Sequence, residues 1–534
     1  LIEDDVARHA RRAPDGIAVV AVDAVGRDST LTWSELWERS GRAAATLLSF
    51  GLQPGDAIAY QLPNRLEFLT LTLGALRIGA ICEPLMPIFR ERELRFMLTE
   101  SAAPVLVVPR RFRGHDHGEM ARELIEELPA IRALIVLDDD EPGSEAAELQ
   151  QPAVTARRPQ PSAIAQLLFT SGSTGEPKGV LHRHEVLDRA ADAHIAHFGL
   201  RSDDVIYIPT PLAHQTGWLY GMWIAWRLGV TQVIQESWEA DVAFDAIGRH
   251  GVTFTQAATP FLADLVRVAE DRGPMHGTPA ERMRGARNPL RMFVATGAAI
   301  PRELARRARD VLGAEVGGGF GTTESGMGAG FVPGLADERA WTSDGMALAN
   351  VSLRVVDDDG GELAPGTEGN LQIATDTLFA GYLNRPADTA AAITQDGWYR
   401  PGDLATIDAD GYLRITGRVK DVINRGGEKV PVAEIEQLLY EHPAVAEVAI
   451  VAMSDERLGE RACAFVVLAD PDTELDFEEM QAYLLRQRVA KPYWPERLEL
   501  VSELPRTPSG KIQKFVLREQ AGRFTDVHRK AIAT

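Results

Sequence analysis

Short apolar runs alternate with amphipathic stretches along the first three quarters of the chain. "DAIAYQL", "PVLVVP", "IRALIVL" and "IAQLLF" are compact apolar runs bounded by turn residues, the pattern of buried strands. Thr32 and Glu35 have the spacing of a capping box and open a helix whose Trp33, Leu36, Trp37, Ala44, Leu47 and Leu48 fall near one face. "PLMPIFRERELRFML" reads as a loop and helix, and "HGEMARELIEEL" as a further helix. "DVIYIP", "GVTFTQA" and "PLRMFVATG" continue the strand series, each ending in turn residues. The alternation predicts an α/β fold: a large N-terminal domain, residues 1–419, of mostly parallel sheets covered by helices. Ligands of such sheets sit beyond the carboxyl ends of the strands. The loops after Phe169, Pro209, Ala295 and Val316 are therefore where a site is expected.

After about residue 420 the pattern changes to that of a small α+β domain of ordinary size, residues 420–534. Pro431 opens a short helix with Ile435, Leu438 and Leu439 on one stripe, stopped at His442-Pro443. "VAEVAIVA" and "RACAFVVL" read as strands, Phe477, Met480 and Leu484 mark a helix, and "ERLELVSEL" is a last strand.

Composition narrows the function. The 534 residues are 45% apolar and 25% charged, an ordinary soluble composition for about two to four domains. A net charge of −21 is a poor basis for binding nucleic acid, whose affinity rests on Lys and Arg. It leaves room for small anions held by a local nest of donors. Cys82 and Cys463 make neither a disulfide framework nor a metal spacing, so a reducing cytoplasm is expected. No apolar run approaches the roughly 20 residues that span a bilayer. The first residues lack the apolar core of a secretory leader, and the missing initial Met points to a trimmed start.

The loop "TSGSTGEPKG" follows the predicted strand "IAQLLF". Its glycines free the backbone to turn several N–H groups toward one point. Ser171, Ser173 and Thr174 add hydroxyls, and Lys178 adds a positive charge. A Gly/Ser surface loop shares this composition, but donors and one cation converging after a strand suit phosphate. A Walker loop needs Gly-Lys followed by Ser or Thr. Here Lys178 precedes Gly179, and Gly510-Lys511 is followed by Ile512, so the usual nucleoside-triphosphatase reading fails.

Four more segments join this loop: "GGGFGTTESG" (317–326), "YRPGDL" (399–404), "GRVKDVINRGGEKVPVAEIE" (417–436) and "PRTPSGKIQK" (505–514). Together with "FTSGSTGEPKGV" they resemble, in order and spacing, the signature motifs of the adenylate-forming superfamily. That family includes acyl-CoA synthetases, aryl-CoA ligases, peptide-synthetase adenylation domains and beetle luciferases. The resemblance runs from about residue 30 to 515. It implies the family's two-domain fold and a reaction in two halves. A carboxylate attacks the α-phosphate of ATP, giving an acyl-adenylate and pyrophosphate. The thiol of coenzyme A, or of an acyl carrier protein, then takes the acyl group.

The resemblance also implies roles. Thr170, Ser171, Gly172, Ser173, Thr174, Gly175 and Lys178 would hold the triphosphate, with Lys178 near the β- and γ-phosphates. Glu324 would carry the Mg2+ that accompanies ATP, and Thr323 the α-phosphate. Gly297, Ala298, Ala299, Gly319, Phe320 and Gly321 would wall the adenine, with Phe320 stacked on the ring, and Thr322 would join the ATP-binding set. Asp403 would bind the ribose hydroxyls and Arg418 the ribose and phosphate. Lys511 would be the catalytic lysine bridging carboxylate and α-phosphate. Lys420 falls at the hinge about which the small domain turns, and Gly426, Gly427 and Glu428 would line the coenzyme A tunnel. Many relatives carry Lys where this chain has Asn424, and "GNLQIATDTLFAGY" is looser than the usual form.

The acyl pocket is expected from His214 as a gate, Trp218, Gly297, Gly319, Gly321 and Met327. The Trp-rich stretch "PLAHQTGWLYGMWIAW" reads first as a core helix. Acetate-activating relatives place a Trp at Gly321, so the glycine here is expected to leave room for a ring or a medium chain. The overall likeness is to cyclohexanecarboxylate–CoA ligases and nearby acyl-CoA synthetases. The partners implied are ATP, a carboxylic acid and coenzyme A, with a carrier protein as the alternative acceptor and a homodimer allowed. Neither nucleic acid nor integral membrane contact is expected. A non-catalytic nucleotide-binding relative would be expected to lack Lys511, Glu324 or Asp403, and all three are present.

Overall fold

A computed structural model describes the chain apart from residues 138–148, 150–158, 171–176, 276–289, 298–299, 301, 336–337, 426–427, 456–457, 471–472, 474, 488, 490, 507–510, 525–530 and 533–534. The predicted capping box forms: Thr32 Oγ1 accepts from the Glu35 amide at 3.2 Å, and Glu35 Oε2 accepts from the Thr32 amide at 2.8 Å. The helix it opens, Trp33–Ser49, buries Leu36, Ala43, Ala44 and Leu47. It packs against the helix Leu66–Arg77, buried at every position but Glu67. The two approach closely because Gly74 has no side chain: a Cβ there would stand 2.8 Å from the Ser40 carbonyl.

Two large sheets form the body of the large domain. The smaller one runs parallel from Ile164–Thr170 through Ile81–Pro84, Ala57–Tyr60 and Val105–Pro109 to Ala133–Leu137. At its other edge Lys178–Arg183 and Gly381–Tyr382 add antiparallel strands. The larger sheet has a parallel block of Ile17–Val22, Gln232–Gln235, Ile206–Ile208, Phe254–Ala258, Met292–Thr296 and Glu315–Thr322.

From Glu315–Thr322 onward the larger sheet is antiparallel, through Gly326–Gly330, Gly345–Ala347, Tyr412–Arg418, Asp403–Ile407, Gly369–Thr375 and Val351–Val356. The expectation of mostly parallel sheets is thus corrected to mixed sheets. The connection from Thr322 to Gly326 is too short for a crossover, and a short turn can join only antiparallel strands.

The predicted Trp-rich helix is a core element. Trp218, Trp223 and Trp226 are fully buried, and Trp223 Nε1 donates to Asp188 Oδ1 at 3.0 Å. Its middle part, Trp218–Trp223, is a short π-helix, a geometry often found beside functional sites. After the short turn Val419–Asp421 the chain enters a separate apolar cluster that includes Ile423, Ile435, Leu439, Val448, Met480 and Leu484. These residues sit between two short helices and a sheet centred on Val445–Asp455 and Gly459–Leu468.

Candidate active site

The phosphate-type loop lies between Ile164–Thr170 and Lys178–Arg183, whose register sets Lys178 opposite Thr170. Thr170 Oγ1 donates to the Lys178 carbonyl at 3.4 Å. Ser171, Gly172, Ser173, Thr174 and Gly175 lie outside the described residues. Lys178 Nζ is 3.2 Å from Asp388 Oδ2 and 4.8 Å above the Tyr382 ring. The Tyr382 hydroxyl donates to Glu324 Oε1 at 2.8 Å. One tyrosine therefore links the loop's lysine to the carboxylate of "TTES".

The backbone around Glu324 is pinned from the neighbouring sheet. His182 Nε2 lies 2.8 Å from the Thr323 carbonyl. Burial lowers the pKa of His182 to about 4, so the ring is neutral at ordinary pH and donates from Nε2. Thr322 Oγ1 accepts from the Ser325 amide at 3.1 Å, and Thr377 Oγ1 donates to the Ser325 carbonyl at 2.8 Å. Among the described residues no group of three His, Cys, Asp or Glu converges as a metal cage. Glu324 Oε1 accepts from Tyr382, and its second oxygen, with no hydrogen-bond partner among the described residues, would suit a Mg2+.

On the nucleoside side, Phe320 is half-buried with its ring against Gly328, where a Cβ would meet it at 3.4 Å. Gly297 ends the strand Met292–Thr296 at φ +86, while Ala298 and Ala299 lie outside the described residues. Asp403 and Arg418 are direct partners on adjacent antiparallel strands. Arg418 Nε donates to Asp403 Oδ1 at 3.0 Å, and Asp403 Oδ2 is buried without a hydrogen-bond partner among the described residues. Burial raises the Asp403 pKa, with the Arg418 and Lys511 charges opposing it. An orphaned carboxylate oxygen beside an arginine fits a ribose diol.

Lys511 leaves the small domain and enters a cavity of the large one. An antiparallel bridge between Arg506 and Ile512 closes the loop that carries it. A Cβ on Gly297 would be 3.3 Å from Lys511 Cε. The cavity is lined by Lys511 with Thr210, His214, Gln215, Thr216, Tyr220, Gln256, Ala258, Thr296, Gly297, Gly321, Thr322, Thr323 and Met327. Burial and the Arg418 charge lower the Lys511 pKa, opposed by Asp403 and Glu324. Burial, reinforced by Lys511, takes His214 down to about 3. His214 Nδ1 accepts from the Thr216 amide at 3.3 Å, which leaves the proton of the neutral ring on Nε2.

Two expected pocket residues do not reach the cavity lining. Trp218 is fully buried in the core with its ring edge-on to Phe68, centroids 6.1 Å apart. Gly319 faces Met327, whose Cε occupies the place of a side chain there. The size argument from Gly321 also fails. A Cβ at 321 would stand 2.7 Å from the Gly326 carbonyl and 3.1 Å from Met327 Cα, so the missing side chain serves the strand pairing.

Lys420 lies in the turn Val419–Asp421. Gly426 and Gly427 are outside the described residues, and Glu428 begins the strand Glu428–Val430. Sequence reasoning missed Tyr382, Thr210, Gln215 and Gln256. Tyr382 closes the loose "LFAGY" stretch, and the two glutamines have no local signal beyond standing near predicted turns.

Similarity to known proteins agrees with this geometry. Residues 6–383 match the AMP-binding enzyme family and residues 434–511 the AMP-binding enzyme C-terminal domain. The chain belongs to this family, the AMP-forming ligases that adenylate acyl and aryl acids. It is 37% identical over 518 residues to the medium-chain fatty-acid–CoA ligase of Escherichia coli K12, covering 96% of this chain and 88% of that protein. It is 36% identical over 519 residues to the salicyl-AMP ligase/salicyl-S-ArCP synthetase of Mycobacterium tuberculosis, covering 96% and 89%. The ATP-bound structure of MatB from Rhodopseudomonas palustris superposes with a TM-score of 0.84 at 26% identity, covering 98% and 99%. No helix among the described residues is long and apolar enough to cross a membrane.

Proposed function

We propose that the protein is an ATP-dependent acyl-CoA synthetase for a cyclic or medium-chain carboxylic acid. The carrying observation is Lys511, which enters the cavity against Gly297 beside Thr322, Thr323 and His214. A positive charge fixed there stabilises the charge that grows as a carboxylate oxygen attacks the α-phosphorus and the bond to pyrophosphate breaks. Asp403 and Arg418 hold the ribose, Lys178 and the loop before it hold the phosphates, and Glu324 would hold Mg2+, which would neutralise phosphate charge. The small domain then turns about Lys420, withdrawing Lys511. The coenzyme A sulfur attacks the acyl carbon, the bond to AMP breaks, and the thiol proton leaves to solvent.

Coenzyme A is favoured as acceptor by the 37% likeness to a fatty-acid–CoA ligase. The 36% likeness to a salicyl-S-ArCP synthetase keeps a carrier protein as the second reading. Pyrophosphate release across a panel of acids, with and without coenzyme A, is the test. Acid-dependent release followed by an acyl-CoA detectable by mass supports the proposal. Release without any thioester on added coenzyme A moves the acceptor to a carrier protein, and no acid-dependent release overturns both.

A further inference from the structure

Several side chains lining the Lys511 cavity are buried with polar atoms that have no hydrogen-bond partner among the described residues. Thr210, Gln215 and Gln256 are 3%, 4% and 4% exposed, and all three border the cavity. Thr210 Oγ1, Gln215 Nε2 and Oε1, and Gln256 Oε1 have no hydrogen-bond partner among the described residues. A buried polar atom left unsatisfied destabilises the fold that holds it. Several such atoms around one cavity point to a ligand that completes them.

Their positions are held firmly. Gln256 belongs to the strand Phe254–Ala258, which is paired on both sides and sets Gln256 opposite Val294. Asn64 clamps the loop of Thr210: its Nδ2 donates to the Thr210 carbonyl at 2.9 Å, and its Oδ1 accepts from the Leu212 amide at 2.7 Å. Gln215 opens the turn after His214, where Gly217 packs so closely that a Cβ would collide with the Pro211 carbonyl. Ala258 and Met327 supply apolar wall beside these amides.

The charge of the cavity limits what can sit there. His214 is neutral at ordinary pH, so Lys511 is the one cation among the described lining residues. It faces the reacting end. A second carboxylate or a phosphate on the acid would find no counter-charge among the described lining residues, whereas two amides and a hydroxyl suit a neutral donor or acceptor.

We infer that the acid activated here carries a neutral hydroxyl or amino substituent beyond its carboxylate, read by Thr210, Gln215 and Gln256. This rests on the reading that the cavity takes the acid. A site built to hydrogen-bond a substituent discriminates strongly against the analogue lacking it.

The experiment compares kcat/KM for pyrophosphate release with benzoate, its three monohydroxy and three monoamino isomers, hexanoate, 6-hydroxyhexanoate and cyclohexanecarboxylate. At least one substituted acid is expected to exceed its parent by about tenfold or more. Gln215→Met and Gln256→Met, checked for unchanged thermal midpoints, are expected to bring that ratio within about threefold, as loss of one hydrogen bond predicts. Parents turned over as well as every substituted acid overturn the inference while leaving acid adenylation standing. A preference that both variants retain overturns the assignment to these side chains. No release with any acid removes the underlying reading and the inference with it.

Discussion

Asp403 and Arg418 face each other across two antiparallel strands, and among the described residues only one of the carboxylate's oxygens is used. Arg418 Nε takes Oδ1 at 3.0 Å, while Oδ2 stays buried and unpartnered among the described residues. The arginine therefore orients a carboxylate whose second oxygen is ready for a sugar hydroxyl. Asp403→Asn keeps the shape and removes the charge. Hydrogen bonds to charged groups contribute about 1.5–3 kcal/mol, so the KM for ATP is expected to rise about 10- to 100-fold. The KM for the acid should change little. Steady-state kinetics with each substrate varied in turn checks this, and equal rises in both would remove the ribose assignment.

Tyr382 is placed to steady Glu324. Its hydroxyl donates to Oε1 at 2.8 Å, while its ring packs on Phe379, centroids 4.8 Å apart, and lies under Lys178. Tyr382→Phe removes the hydroxyl and keeps both ring contacts. Groups that orient a metal's carboxylate change metal affinity when lost, so half-maximal activity should need about tenfold more Mg2+. Thermal stability should shift little. An unchanged Mg2+ titration would mean that this hydroxyl does not act through the metal.

The helix and strand alternation of the large domain was legible because buried runs and capping residues are local signals, as Thr32 and Glu35 illustrate. The antiparallel half of the larger sheet was not. Its strand Gly326–Gly330 reads "GMGAG", which carries no apolar alternation. Tyr382 was missed because it gains meaning only by pairing with Val180, far away in sequence. Lys511, Glu324 and Asp403 stood out through motif resemblance, whereas Gln215 and Gln256 matter only once the strand ends are folded around one cavity.

Gly321 shows the same limit. Its absent side chain read as pocket space, yet a Cβ there meets the Gly326 carbonyl at 2.7 Å. Gly321→Ala should thus destabilise the protein by about 1–3 kcal/mol through overpacking. Gly248, in the helix Ala240–Arg249, has nothing within 4 Å of a Cβ. Gly248→Ala should instead stabilise by about 0.5–1 kcal/mol. Thermal denaturation of the two variants separates these signs, and a tolerated Gly321→Ala would reopen the pocket argument.

The role proposed for Lys511 is that of a cation, so its protonation should set the alkaline limb of adenylation. Burial and Arg418 lower its pKa, against the pull of Asp403 and Glu324. The protonated form prevails below that lowered pKa, so activity should fall as pH rises through it, earlier than an ordinary lysine would allow. ATP–pyrophosphate exchange followed over roughly pH 6–10 shows the limb. Lys511→Ala should cut exchange about a hundredfold, the scale of losing one preorganised donor, and abolish the limb. Thioester formation from supplied acyl-adenylate should be far less affected. A limb that persists unchanged in Lys511→Ala belongs to another group.

His194 should make the fold acid-sensitive. It is fully buried between Phe198 and Tyr220, with ring centroids 4.6 and 4.7 Å away, and neither ring nitrogen has a partner among the described residues. Burial lowers its pKa to about 3, whereas in the unfolded chain it titrates near 6.5. Below about pH 6.5 the unfolded state therefore binds a proton that the native state refuses, and stability is lost as pH falls toward the folded value. Buried Glu83 and Glu3, raised to about 8 and about 7, hold protons in the native state and pull the other way. The total pH profile thus mixes both signs, and only a difference between variants isolates His194. His194→Phe keeps the aromatic packing and removes the titration. Relative to the parent, it should gain up to about 1.4 kcal/mol for each pH unit below 6.5. Urea midpoints of both proteins at about pH 7.5, 6 and 5 measure the gain, and a difference that stays constant with pH would show that His194 takes up no proton on unfolding.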